Sequence, residues 1–209
     1  MSEAAELARG AAALGIELQP AQLEALMQLI DILQAGNAQF NLTAIRDREG
    51  ILRKHLLDSL SVQPHLRGAR LADLGTGAGF PGLPLAIVNR DRHFVLVEST
   101  GKKARFVASA AAQLALGNVE VVTQRAEDYA PPQLFDSVLA RALSSLAAFV
   151  GFAGHLCAPD GRLLAMKGRE PGAELAALPR GFRVAAVHRL TVPGLPDERH
   201  LVEIMHAGR

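Results

Sequence analysis

Tryptophan is absent from this 209-residue chain, cysteine and tyrosine occur once each, and the other aromatics are eight phenylalanines. Each scarcity removes a class of function. A single cysteine excludes an internal disulfide and any multi-cysteine zinc site. Cys157 has apolar neighbours and reads as a small buried hydrophobe near a helix end. Histidines with acidic neighbours at ligand spacing are missing too, so no metal site is expected. So few aromatics leave little with which to stack bases extensively. There is no apolar run of about eighteen residues, hence no transmembrane helix. The opening residues Met1-Ser2-Glu3-Ala4-Ala5-Glu6 are acidic, unlike a signal peptide. These features point to a cytoplasmic protein without a membrane partner. A charge excess is also lacking: 22 Lys and Arg against 21 Asp and Glu leave a net +1. Any nucleic-acid surface must then be a local basic face.

What is present is a change of rhythm. Leu7, Ala11 and Leu14, then Leu23, Leu26, Met27, Ile30 and Leu33, fall at helical spacing over 3–14 and 20–35. Pro20 stands at the start of the second segment and Gly36 just past its expected end. Asn37 to Arg46 reads as an ordered connection and Asp47 to Leu60 as a further helix. From Arg70, strands near 70–74, 93–97, 119–122, 135–140, 161–167, 183–190 and 199–206 alternate with helices near 81–90, 101–116, 144–157 and 171–178. Such alternation predicts a mostly parallel sheet covered on both faces. The last two strands leave no room for a crossover helix, so a hairpin makes one strand antiparallel. We expect a helical extension over 1–66 packed on a sheet domain over 67–209. The two-proline segment Thr191 to Glu198 is loop, either a cover for a pocket or a plain hairpin connection.

The most telling stretch is Leu71-Ala72-Asp73-Leu74-Gly75-Thr76-Gly77-Ala78-Gly79-Phe80-Pro81-Gly82. An apolar strand runs into alternating glycines with a helix directly behind, the layout of a nucleotide-type site after a first parallel strand. Glu98 closes the second strand, where a carboxylate accepts hydrogen bonds from ribose hydroxyls in NAD enzymes and methyltransferases alike. A dinucleotide fingerprint wants glycine where Phe80 stands. Pro81 has no N–H for a phosphate, though it is well placed as a first helical residue. A pyrophosphate needs those donors. S-adenosyl-L-methionine needs only room beside Gly75, Gly77, Gly79 and Phe80. Phe80 itself can pack on cofactor or base, or serve the core beneath the helix.

In an open α/β sheet, ligands bind outside the carboxyl ends of the strands. Ala126-Glu127-Asp128 follows the third strand, where an acidic side chain can read adenine or simply cap a helix. Arg141 follows the apolar run Val138-Leu139-Ala140 and is the candidate catalytic residue. It suits the pocket mouth, against a cofactor carboxylate or an RNA phosphate; a structural ion pair with Glu98 or Asp136 is the competing reading. Ala140-Arg141-Ala142-Leu143 has neither the proline-rich motif used on exocyclic amines nor a cysteine for pyrimidine carbon. Guanine N7 needs neither, because its in-plane lone pair can attack a sulfonium methyl directly. Lys54, Lys102, Lys103, Lys167, Arg169, Arg199 and His200 are candidate RNA contacts, each otherwise a solvated surface charge. His55 faces the pocket or bonds internally to Asp58.

With Asn41-Leu42-Thr43-Ala44-Ile45, Lys54-His55-Leu56-Leu57-Asp58-Ser59-Leu60, the glycine motif with Phe80-Pro81-Gly82, Glu98-Ser99-Thr100-Gly101-Lys102-Lys103, Arg141-Ala142, Lys167-Gly168 and Arg199-His200-Leu201-Val202 on the page, the chain resembles the bacterial small-subunit rRNA guanine-N7 methyltransferases, the RsmG or GidB family. The resemblance runs from about residue 20 to 205. It implies a class I S-adenosylmethionine-dependent methyltransferase fold, Rossmann-like and seven-stranded. It also implies methyl transfer to N7 of guanosine 527 in the 530 loop of 16S rRNA, in the small subunit or its assembly particle. By the family pattern Gly75, Phe80, Ala126-Glu127 and Arg141 contact the cofactor. A monomer is expected. Two positions depart from the pattern: Glu98 where Asp is common, and a final strand without its usual lysine, with His206 or Arg209 as substitutes. The rival readings are a NAD-dependent oxidoreductase, a non-catalytic RNA or ribosome-binding module of the same fold, and a methyltransferase of small molecules or proteins.

Overall fold

A computed structural model describes residues 2–142 and 144–208; Leu143 and Arg209, both named above, lie outside them. Helix α1 (Glu3–Ala13) is opened by Ser2, whose hydroxyl accepts the Ala5 N–H at 3.2 Å. Helix α2 (Pro20–Phe40) buries Ala25, Leu26, Leu29, Ile30 and Leu33, one apolar face of a 3.6-residue period. It does not stop at Gly36. The helix runs on to Phe40 and ends at Asn41 with φ 50. A Cβ on Gly36 would lie 2.3 Å from the Phe106 ring, so glycine serves a close approach between helices there. Asp47 caps α3 (Arg48–Ile51), accepting the Gly50 N–H at 2.6 Å. A π-helical stretch, Leu52–Leu57, and α4 (Asp58–Leu60) follow without a break. One ordinary helix was expected there; π segments recur where side chains must be re-aimed at functional sites.

The seven strands are β1 (Arg70–Leu74), β2 (His93–Val97), β3 (Val119–Val122), β4 (Phe135–Arg141), β5 (Cys157–Lys167), β6 (Phe182–Leu190) and β7 (Arg199–His206). Helices α5 (Gly82–Val88), α6 (Gly101–Gln113), α7 (Leu146–Ala153) and α8 (Gly172–Leu175) connect them. The sheet order is β3-β2-β1-β4-β5-β7-β6, with β7 antiparallel to both neighbours as the hairpin expectation required. α7 is shorter than expected because the chain tightens at Gly154–Leu156 and enters β5 at Cys157. Cys157 therefore opens a strand, pairing with Phe135 before the register shifts to Arg162 opposite Ser137. It is buried, and burial pushes its thiol up to about 12, so it is inert.

One continuous apolar cluster joins the helical layer to one face of the sheet: Leu26, Leu29 and Leu56 with Leu71, Phe94 and Phe106. A second, including Tyr129, Phe135, Phe149 and Ile204, fills the opposite face. The strand order reverses between β1 and β4, and their carboxyl ends frame the crevice where open α/β sheets bind ligands.

Candidate active site

Asp73, buried near the end of β1, organises the glycine loop. Its Oδ2 accepts the Thr76 hydroxyl at 2.6 Å and the Gly82 N–H at 2.8 Å. Burial pushes its carboxyl up to about 6, against those hydrogen bonds. Glu98 holds the loop from the other side, accepting the Gly77 N–H at 2.9 Å and the Thr100 N–H at 2.8 Å. The amides of Gly75 and Thr76 reach the Val97 carbonyl at 2.8 and 3.2 Å, and those of Gly79 and Phe80 reach Thr76 O at 3.0 Å. Pro81 forms the N-cap of α5 rather than its first residue, and the next amide, Gly82, is the one given to Asp73. A diphosphate arriving here would meet committed donors and two carboxylates. What the loop offers is room: Gly75 has φ 64, and a Cβ built on it meets nothing within 4 Å.

Two cavities open at the strand ends. One of about 470 Å³ is lined by Leu74, Gly75, Val97, Ser99, Ala126 and Glu127 among others. The last two sit on a short 3₁₀ turn, Ala126–Asp128. The other, about 590 Å³, lies between the helical layer and the sheet, with Lys54, His55, Asp58, Lys167, Arg199 and His200 on its walls. Arg141 and Ala142 line both. Ala142 has φ 57, a left-handed conformation that a non-glycine residue adopts at some strain.

A polar chain fixes this shared wall. Asn37 accepts the Thr43 N–H at 2.9 Å and donates to the Thr43 carbonyl at 3.0 Å. The Thr43 hydroxyl lies 2.9 Å from His55 Nε2. The His55 ring stacks on Phe80, centroids 4.7 Å apart, and its Nδ1 faces an Arg141 guanidinium nitrogen at 3.4 Å. Guanidinium only donates, so Nδ1 is the unprotonated nitrogen. Burial, then the Arg141 charge, hold His55 down to about 4. Asp58, buried in the same wall, accepts from Arg199 Nε at 2.9 Å and lies 3.6 Å from Arg141. Burial pushes its carboxyl up while both guanidinium groups pull it down.

Arg141 thus has Asp58 as its carboxylate partner rather than Glu98 or Asp136; the latter accepts the Ala69 and Arg70 amides. His55 bonds Thr43 and Arg141, not Asp58. Phe80 is 2 % exposed and lies beneath His55, with the Arg141 guanidinium 5.9 Å from its centroid. Lys54, Lys167, Arg199 and His200 converge on the larger cavity, although Lys167 is tied to Glu174 at 3.0 Å. Arg169 is exposed two residues beyond Lys167, and Glu127 is exposed near Arg125, at 4.0 Å. Lys102 lines a separate groove between α2 and α6, and Lys103 is half-buried on α6. His206 ends β7 at the end of the sheet away from the cavities, against Phe182 and the Cys157 carbonyl. Thr43 was named only as a motif member and Asp58 otherwise only as a partner for His55, because a lone carboxylate or hydroxyl on a short helix or turn has no pattern of its own. Among the described residues no group of three or more His, Cys, Asp and Glu could hold a metal, and no helix is long and apolar enough to cross a membrane.

The family model GidB, rRNA small subunit methyltransferase G, matches residues 22–202. The chain belongs to the GidB family. Ribosomal RNA small subunit methyltransferase G of Xanthomonas campestris pv. campestris is 48% identical over 209 residues, 98% of this chain and 99% of its own length. The protein of the same name from Aromatoleum aromaticum is 49% identical over 204 residues, covering 95% and 97%. Among solved structures, an O-methyltransferase from Bacillus cereus in complex with SAH superposes with TM-score 0.60 at 20% identity, over 87% of this chain and 91% of that one. A SAM-dependent methyltransferase from Aquifex aeolicus gives 0.58 at 21%, over 76% and 93%. The fold of this GidB chain is the class I methyltransferase fold.

Proposed function

We propose that this GidB-family chain transfers a methyl group from S-adenosyl-L-methionine to N7 of guanosine 527 in the 530 loop of 16S rRNA, acting as a cytoplasmic monomer on the small subunit or its assembly particle. The observation that carries this reading is the pair of cavities sharing Arg141 and Ala142 as a common wall. One is built on the glycine loop, the other is ringed by cations.

The residues of the smaller cavity fit an adenosyl group. Gly75 leaves open space where a side chain would intrude, and Gly77 and Gly79 share its positive φ. Glu98 uses one lone pair of Oε2 on Gly77 and one of Oε1 on Thr100, and keeps others for ribose hydroxyls. Ala126 and Glu127 would border the base, and Phe80 supports the site from beneath His55. When bound, S-adenosylmethionine supplies a sulfonium-activated methyl group.

Guanine N7 carries no proton, so the protein need not remove one; orientation and electrostatics remain its task. Arg141 stands at the shared wall, its fork suited to a phosphate, a carboxylate or guanine O6. Bidentate contact with O6 and N7 would block the reacting atom. Positive charge grows on the imidazole ring as N7 is alkylated, and Asp58 tempers the Arg141 and Arg199 charges that would otherwise oppose it. Neutral His55 and Thr43 keep Arg141 in place without adding charge. Lys54, Lys167, Arg199 and His200 would meet the RNA backbone, with Lys102, Lys103 and Arg169 outside them.

The test is mass mapping of nucleotides after incubating unmodified small subunits with enzyme and methyl donor. One N7-methylguanosine in the 530 loop is expected. Methylation of another atom, or RNA binding without transfer, would overturn the reading. Calorimetry should show S-adenosylhomocysteine binding and no NAD binding.

A further inference from the structure

Phe40 is 36% exposed in a chain whose aromatics are otherwise mostly buried. It closes α2 at the edge of a groove of about 340 Å³ shared with α6, beside Lys102, Arg105 and Gln39. Among the described residues no carboxylate lines this groove. Several arginines elsewhere are answered, Arg48 by Glu3, Arg53 by Glu6, Arg141 and Arg199 by Asp58, Arg162 by Glu203, while others on the surface are not. Among the described residues neither Lys102 nor Arg105 is within ion-pair distance of a carboxylate. An exposed aromatic face beside unpaired cations is the pairing by which proteins hold single-stranded nucleic acid: stacking on the ring, phosphate on the charges.

The groove is also wired to the reaction site. Phe40 is followed by the turn carrying Thr43, which Asn37 of the same helix holds and which reaches His55. Lys102 lies just beyond Thr100, whose amide is held by the same Glu98 that fixes the glycine loop.

We propose that this groove is a second RNA-contact site, in which Phe40 stacks on an unpaired base near the methylated guanosine while Lys102 and Arg105 hold its phosphate. This rests on the rRNA substrate reading and adds a specific anchor to it. The experiment uses the full chain with Phe40→Ala, Phe40→Leu and Phe40→Trp, and a Lys102→Ala/Arg105→Ala double variant. KM and kcat for unmodified small subunits are measured, with S-adenosylhomocysteine affinity as control and filter binding to protein-free 16S rRNA alongside. Both Phe40→Ala and Phe40→Leu should raise KM and weaken rRNA binding by about five- to a hundredfold, the range of one lost base stack. Phe40→Trp should restore both, and kcat and cofactor affinity should stay unchanged. The double variant should flatten the salt dependence of rRNA binding by roughly 0.7 in log–log slope, one phosphate contact on a single strand. Wild-type behaviour of Phe40→Leu would overturn the proposal, since leucine packs but does not stack. So would losses seen with subunits and absent with protein-free rRNA, which would assign the groove to a ribosomal protein. If the wild type methylates no rRNA, the substrate reading falls by itself, and the filter-binding series still decides whether Phe40 stacks.

Discussion

Arg141 is a charged residue 28% exposed at its side chain, held by a carboxylate, an imidazole and an aromatic face. In the positioning role proposed for it, removal should hurt turnover far more than folding. Arg141→Ala is expected to slow label transfer by about a hundredfold or more, with little change in melting temperature; Arg141→Lys should not restore it, because the planar fork is lost. A folded Arg141→Ala enzyme with wild-type turnover would end this role. His55 makes a separate prediction. Its folded pKa lies below the usual 6.5, at about 4, so the unfolded chain binds the proton first. Its contribution is complete above pH 6.5 and is lost as pH falls toward 4. Asp73, pushed up to about 6, acts in the opposite sense over much of that window, so the raw stability profile mixes the two. The difference between wild type and His55→Gln isolates His55. Urea unfolding should show it shifting against the wild type by up to about 3 kcal/mol between pH 7 and 4. Arg141 stood out in the sequence because charge after an apolar strand is anomalous. Asp58 did not, because its importance comes from Arg199, far away in sequence, folding back onto it.

The segments whose pattern is local were legible. All seven strands fall where short apolar runs between turn residues place them, and Pro20 begins its helix as expected. Gly36 misled because glycine marks both helix ends and close helix packing, and only the Phe106 ring tells which applies. The π-helical stretch was equally hidden, since its spacing of apolar residues still reads as helix. At the start of α5, Gly82 is pinned by two neighbours: a Cβ there would sit 2.2 Å from Leu96 and 2.9 Å from Asp73 Oδ2. Gly82→Ala should destabilise the protein by about 1–3 kcal/mol through overpacking. It should also weaken S-adenosylhomocysteine binding, because Asp73 must release the turn. Denaturant melts and calorimetry check the two effects; unchanged values in both would remove Asp73 as the loop's organiser.

Over the whole molecule, the helical layer and the sheet share one apolar cluster, so damage to either should be felt by both. Leu29 is fully buried in α2, and Leu29→Ala should lower stability by about 2–5 kcal/mol. The only tyrosine, Tyr129, sits in the cluster on the other face of the sheet and serves as a native fluorescent reporter. Its transition should move with that of circular dichroism; a helical signal lost well before Tyr129 responds would mean the layers unfold separately. The insertion of β7 between β5 and β6 has a consequence for biosynthesis. While the chain leaves the translating ribosome in order, β6 has no partner to pair with until β7 has emerged, and Arg199 and His200 arrive with that same strand. A nascent chain, or any truncation ending before residue 199, therefore keeps the cavity beside Gly75 and lacks Arg199 and His200 from the wall of the other. The wall of the larger cavity is complete only once β7 has slotted between β5 and β6.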